Sequence, residues 1–142
     1  MGAMSPEQIR GFLTEGTRTA KLGTVRRDGT PHVVPVWLIL DGDDLLLTTG
    51  VDSVKGRAIR RDPRVAACVD DERPPYAFVS ITGQASVSQD AAAMLDVATR
   101  IAARYVGPER AEQYGRLNSG PGLMLVRITP QRMLSEVDVT GL

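Results

Sequence analysis

A mainly β chain with some helices (α+β), closed as one barrel or strongly curled sheet, is the class this sequence predicts. Three observations point there. Short runs rich in β-branched and aromatic residues, PHVVPVWLIL and VAACV among them, are separated by Asp-Gly turn signals. One basic, helix-length segment, VKGRAIRR, interrupts the strands directly after LLLTTG. A long helical period appears only in the second half, where Met94, Ala98, Ile101, Ala102 and Tyr105 recur at helical spacing.

The elements follow in order. Ser5 is placed to cap a helix over Pro6–Glu15, with proline at its first position and Ile9, Phe12 and Leu13 on one face. Arg18–Arg26 alternates as a strand, Asp28-Gly29 makes a hairpin turn, and Pro31–Leu40 returns as the partner strand. Pro35 has no N–H to give a ladder, so an edge, bulge or bend is expected there. Asp41–Asp44 turns the chain into Leu45–Thr49, which completes a three-stranded meander. Ser53 caps Val54–Arg61, and Pro63 stops that helix because the residue before a proline leaves the helical region. Arg64–Asp70 and Tyr76–Thr82 read as strands around the loop Asp71–Pro75, and Gly83 marks a bulge before Gln84–Val87. Ser88 is placed to cap a helix running to Tyr105, a shorter helix covers Glu109–Leu117, and Leu123–Ile128 is a last clear strand that Arg132–Val137 extends.

Composition narrows the function classes. A chain of 142 residues suits one domain with a full core. Its formal net charge is +0, so nothing global points to nucleic acid or to an anionic membrane. No apolar run approaches the length of a membrane span, and no apolar segment of the signal-peptide kind stands at the N-terminus. Residues 1–4, with a second methionine at Met4, read as the remnant of an expression tag, so one domain is expected over 5–142. The lone Cys68 leaves no internal disulfide and no cysteine-cluster metal site, and a cytoplasmic location is expected. The lone His32 removes most metal and triad chemistry.

What remains is a local concentration of charge. Lys55, Arg57, Arg60, Arg61 and Arg64 stand against one acid, Asp62, at a helix that opens where a strand ends. Unpaired N–H groups and the positive end of the helix dipole favour an anion at such a start. An anionic, phosphate-bearing ligand is one reading; a solvated basic face is the other. Trp37 reads equally as the wall of a ring-binding pocket or as barrel core.

At this point the residues resemble a known family. The order of an Asp-Gly hairpin, PHVVPVWLIL, LLLTTG and a lysine helix running into IRRDPRVAACVDD is similar to the split β-barrel flavin and deazaflavin oxidoreductases, which share the fold of pyridoxamine-phosphate oxidase. The likeness is strongest to the branch that uses the deazaflavin coenzyme F420. It implies a homodimer with the cofactor between subunits. It implies that Pro35, Val36, Trp37 and Leu38 line the ring system. It implies that Thr48, Thr49, Gly50, Val51, Ser53, Lys55, Arg60 and Arg61 hold the phosphate and acidic tail. Tyr76 and Phe78, after the Pro74-Pro75 loop, read either as reaching the ring across the dimer or as ordinary strand packing, the latter at least as well for Phe78. Family members often carry asparagine where this chain has Ala58, and Asp52 sets a negative charge beside the expected anion.

F420 carries a phosphodiester and several carboxylates, and guanidinium groups pair with such oxyanions in planar, charge-assisted bonds. FMN, the alternative cofactor, has one phosphate and needs fewer arginines, so the excess including Arg57 favours F420. Hydride chemistry asks the protein mainly for position and exclusion of water, which suits a chain with no evident acid–base pair. The expected activity is reduction of an electron-poor double bond in a small-molecule acceptor such as an unsaturated ketone, a quinone or biliverdin. An FMN enzyme and a non-catalytic binder of F420 or an apolar ligand are the competing readings. Neither nucleic acid nor a membrane is an expected partner.

Overall fold

In the computed structural model, which describes residues 2–142, the apolar run Pro31–Leu40 is not one strand. Pro31–Val36 (β2) pairs with Ala20–Val25 (β1) through the hairpin expected at Asp28-Gly29. Trp37 and Leu38 then leave the ladder, and Ile39–Asp41 (β3) pairs with Asp44–Gly50 (β4). The expected three-stranded meander is therefore replaced by two separate hairpins. Pro35 gives the physical reason: it is tolerated because β2 is an edge strand, and it offers no N–H to a further strand on that side.

Arg64–Asp70 (β5), Phe78–Ser88 (β6) and Leu123–Glu136 (β7) complete one antiparallel sheet in the order β2-β1-β5-β6-β7-β4-β3. Its two edge strands, β2 and β3, are consecutive in the chain and joined only by Trp37-Leu38. Such a link spans at most about 11 Å from Val36 to Ile39. The sheet must curl until its edges meet, which makes a barrel split along one seam. Leu22, Leu45, Leu47, Val69, Val79, Ile81, Val126 and Ile128 fill it from alternate strand positions. Leu46, on the opposite face of β4, joins Ile39, Val97 and Ile101 in a second cluster beneath a helix, which explains three consecutive buried leucines.

Gly83 behaves as expected. The β6–β7 register shifts between Thr82 and Gly83, where a Cβ would sit 2.3 Å from the Thr129 carbonyl oxygen. Tyr76 does not start a strand; it lies in a turn with φ 62°, its N–H bonded to the Arg73 carbonyl at 2.8 Å.

Pro6–Thr14 (α1) carries the capping box of Ser5 and Gln8. Val54–Arg61 (α2) is capped by Ser53. Ala91–Tyr105 (α3) is capped by Asp90 rather than Ser88: Asp90 accepts the Ala93 N–H at 2.9 Å, while the Ser88 hydroxyl accepts the N–H of Asp90. Ala111–Leu117 (α4) is separate from a 3-10 turn at Pro108–Arg110, which the sequence reading begins as one helix at Glu109. Met4, set outside the domain by sequence, packs against the core and donates its N–H to Ser135 Oγ at 2.9 Å. Among the described residues no helix is long and apolar enough to cross a membrane.

Candidate functional site

The site begins where β4 ends. The Ser53 hydroxyl donates to the Gly50 carbonyl at 2.8 Å and accepts the Gly56 N–H at 3.0 Å. Thr49 Oγ1 lies 3.2 Å from the same oxygen. The Val51 N–H donates to the Gly122 carbonyl at 3.0 Å, and the Val51 carbonyl accepts from Arg60 at 2.7 Å. Gly56 allows the close approach: a Cβ there would stand 2.1 Å from the Gly50 oxygen. Thr49, Gly50, Val51 and Ser53 thus build the turn that locks the start of α2 against the barrel. Their polar groups are largely spent on each other.

Lys55 leaves this turn toward a cleft of about 220 Å³ on the barrel seam, shared with Pro35, Val36, Trp37 and Thr48. Ala98, Ile101 and Ala102 of α3 and Asn118 after α4 close its other side. The chain has two lysines; Lys21 pairs with Asp70 at 2.8 Å, whereas Lys55 meets no carboxylate among the described residues. A half-buried, unpaired ammonium beside an apolar, partly aromatic wall suits the phosphate end of a planar ligand.

The arginines face elsewhere. Residues two apart on an α-helix point about 200° from each other. Arg57, Arg60 and Arg61 accordingly line a second, shallow cleft of about 830 Å³ with Arg26 and Arg27 of the β1–β2 hairpin. Arg61 is anchored on the Val25 carbonyl at 2.6 Å, as Arg60 is on Val51. Asp52 lies on this side, 3.7 Å from Arg60, and does not line the Lys55 cleft. Arg64 belongs to neither cleft; it grips Asp62 with two bonds of 3.0 and 2.8 Å and holds that carboxyl down to about 2.

Trp37 is half in and half out, 41% exposed, with its indole stacked on the Tyr105 ring at 5.0 Å and 3°. Trp37 belongs to neither core cluster, so the barrel-core reading does not hold, and it lines the Lys55 cleft instead. Leu38, expected to line the ring, is fully buried and lines neither cleft. Its N–H donates to the Tyr105 hydroxyl at 3.2 Å and its carbonyl accepts from Arg104 at 2.7 Å. Burial pushes the Tyr105 phenol above its ordinary value. Tyr76 and Phe78 line neither cleft; Phe78 opens β6 opposite Asp70 and Glu136. No group of metal-ligating side chains occurs among the described residues.

Sequence reasoning missed Ala98, Ala102 and Asn118 in the first cleft and Arg26 and Arg27 in the second. The dipeptide Arg26-Arg27 beside the Asp28-Gly29 turn is a visible basic signal. The small residues at 98 and 102 look like any helix face packed on a sheet.

Comparison with known proteins identifies the family and the fold. A family model described as pyridoxamine 5'-phosphate oxidase matches residues 5–135. An F420H(2)-dependent biliverdin reductase of Mycobacterium tuberculosis (strain CDC 1551 / Oshkosh) is 30% identical over 131 residues, covering 90% of this chain and 85% of that protein. The crystal structure of the conserved hypothetical protein Rv2991 from Mycobacterium tuberculosis superposes with a TM-score of 0.82 at 29% identity, covering 93% of this chain and 84% of that one. A structure named F420 reductase gives a TM-score of 0.67 at 27% identity over 87% and 94%. A family match running from the first helix cap into the last residues of the final strand, on a sheet split along one seam, means that the chain belongs to the pyridoxamine 5'-phosphate oxidase family and has its split-barrel α+β fold.

Proposed function

We propose that this chain is an F420H2-dependent reductase acting on an electron-poor double bond of a small organic acceptor, such as an unsaturated ketone, a quinone or a tetrapyrrole. The observation that carries the proposal is the meeting of an acid-free Lys55 with Pro35, Val36 and Trp37 on the seam, beside a separate arginine-lined cleft. Lys55 would hold the phosphate. Arg57, Arg60 and Arg61, joined by Arg26 and Arg27, would hold the tail carboxylates, and FMN has no such tail to fill the second cleft. Similarity to the F420H(2)-dependent biliverdin reductase supports the same choice.

When bound, reduced F420 supplies the hydride. The chain's part is to seat it, to orient the ring against the Pro35–Trp37 wall and to exclude water with α3. The proton that completes reduction of the double bond would come from solvent at the open mouth of the cleft or from a hydroxyl such as that of Thr48, since no carboxyl group lines it. A cavity of about 220 Å³ falls below the range of about 300–1,000 Å³ usual for such sites. For the ring cleft taken alone, that small volume supports a further wall from a second copy of the chain. A homodimer with the cofactor between subunits completes it, and Tyr76 and Phe78 are the residues assigned to reach it from the second subunit. The cell compartment assigned is the cytoplasm.

Titration with F420, followed by its fluorescence, tests the proposal. Binding at micromolar concentration, and oxidation of F420H2 on adding an acceptor, are the expected results. No binding refutes it; a yellow protein that retains FMN through purification replaces it with the flavin reading.

A further inference from the structure

The link between the two barrel edges is held from outside the sheet. Leu38 is fully buried, yet it belongs to no ladder, so its backbone groups need partners from elsewhere. The last turn of α3 provides both. The Tyr105 hydroxyl accepts the Leu38 N–H at 3.2 Å and donates to the Arg18 carbonyl at 2.7 Å. Arg104 donates to the carbonyls of Leu38 at 2.7 Å, Leu13 at 2.9 Å and Gly16 at 2.9 Å. Its guanidinium carbon also lies 4.8 Å from the centre of the Tyr105 ring. The same Tyr105 ring lies flat on Trp37, which lines the Lys55 cleft.

We infer that Tyr105, supported by Arg104, is a positioning residue for this cleft, fixing the plane of Trp37 as the wall against which a planar heteroaromatic ligand ring is seated. The inference rests on the cofactor reading for the identity of that ring, but not for the pose of Trp37. One face of the indole is covered by Tyr105, and Trp37, 41% exposed, lines the cleft. A stacked aromatic pair contributes about 0.5–1.5 kcal/mol beyond its burial, enough to select one orientation of an exposed indole. The hydroxyl on the same ring pins the next residue, so ring and backbone are oriented together.

Trp37 is the only tryptophan, so all indole emission reports from this wall. Tyr105→Leu removes the stack. It should raise acrylamide quenching of Trp37 about twofold or more and weaken F420 binding about fivefold, the factor that matches the loss of one aromatic pair. Tyr105→Phe keeps the stack and drops the hydroxyl. It should leave quenching near wild type while amide exchange at Leu38 speeds up about fivefold, as loss of one hydrogen bond implies. If Tyr105→Leu fails to fold, the phenylalanine variant still decides through Leu38. Wild-type quenching and affinity in a folded Tyr105→Leu protein, or unchanged exchange in Tyr105→Phe, overturns the inference. Failure of the wild type to bind F420 removes the cofactor reading alone, because quenching and exchange are measured without it.

Discussion

Replacing Gly56 with alanine sets helix propensity against sterics at one atom. Gly56 lies inside α2 with no positive φ, so on propensity alone alanine should stabilise the helix by about 1 kcal/mol. The structure reverses the sign. The new methyl would stand 2.1 Å from the Gly50 carbonyl oxygen, 3.0 Å from Ser53 Oγ and 3.1 Å from the Val51 carbonyl oxygen. Two of these are backbone atoms, one at the end of β4 and one in the turn after it, so no rotamer change relieves them. Overpacking of this kind costs about 1–3 kcal/mol, and displacing the Ser53 cap adds about 1 kcal/mol. The net expectation is a loss of about 1–3 kcal/mol, which lowers the melting temperature by about 3–10 °C in a chain of this size. Gly11, in α1 with nothing within 4 Å of a built Cβ, is the internal control. Gly11→Ala should raise stability by about 0.5–1 kcal/mol. Thermal melts of both variants by circular dichroism make the assay. A Gly56→Ala protein as stable as wild type, or one that moves with Gly11→Ala, would refute the claim that α2 is jammed against the strand end.

Other perturbations separate the clefts. Lys55→Ala should weaken F420 about 10- to 100-fold, the range for one charge-assisted bond, without shifting the melting temperature by more than the scatter between preparations; unchanged affinity in a titration would detach Lys55 from the ligand. Arg57→Glu should weaken F420 more than FMN and flatten the dependence of F420 affinity on salt, since it removes charge from the second cleft alone. Equal losses for both cofactors would place the tail elsewhere. Asp71 gives a pH signature. Bonds from Arg73, and less strongly from Arg18, hold its carboxyl well below the usual range. The folded state therefore takes up a proton later than the unfolded chain, so this stabilisation is complete above the ordinary carboxylate pKa and fades as pH falls below about 4. The melting gap between wild type and Asp71→Asn should be steady from pH 7 to 5 and narrow below about 4; a gap that widens in acid would contradict the assignment.

Local chemistry was the legible part of this chain. Ser5 and Ser53 as caps, the Asp28-Gly29 hairpin and the Gly83 register shift each depend on a few neighbouring residues, and all appear as read. The partition of Pro31–Leu40 was legible only in part, since Pro35 signalled an edge or a bend but not where the second strand would begin. Nothing within those ten residues announces that Arg104 and Tyr105, far along the chain, will satisfy the backbone of Leu38. The basic cluster shows the same limit at the candidate site. Spacing along α2 placed Lys55 and Arg57 side by side in sequence, while helix geometry turned them to different clefts, and only the folded hairpin brought Arg26 and Arg27 to the second. The turn at Thr49–Ser53 is formed as a structure, but its hydroxyls are occupied by one another rather than offered outward.

The pairing of β4 with β7 carries a kinetic consequence. Leu47 lies opposite Val126, and the Val51 amide is bonded to Gly122, so the first half of the chain waits for its final strand. Non-local pairings of this sort are late events, because loop closure must precede any contact that rewards it. A nascent chain emerging from the ribosome would have its β1–β2 hairpin early but would lack a finished Lys55 pocket until residues near 128 are free. Ligand affinity during refolding should accordingly rise in step with the slowest structural phase, and not with the early appearance of helix or hairpin signal.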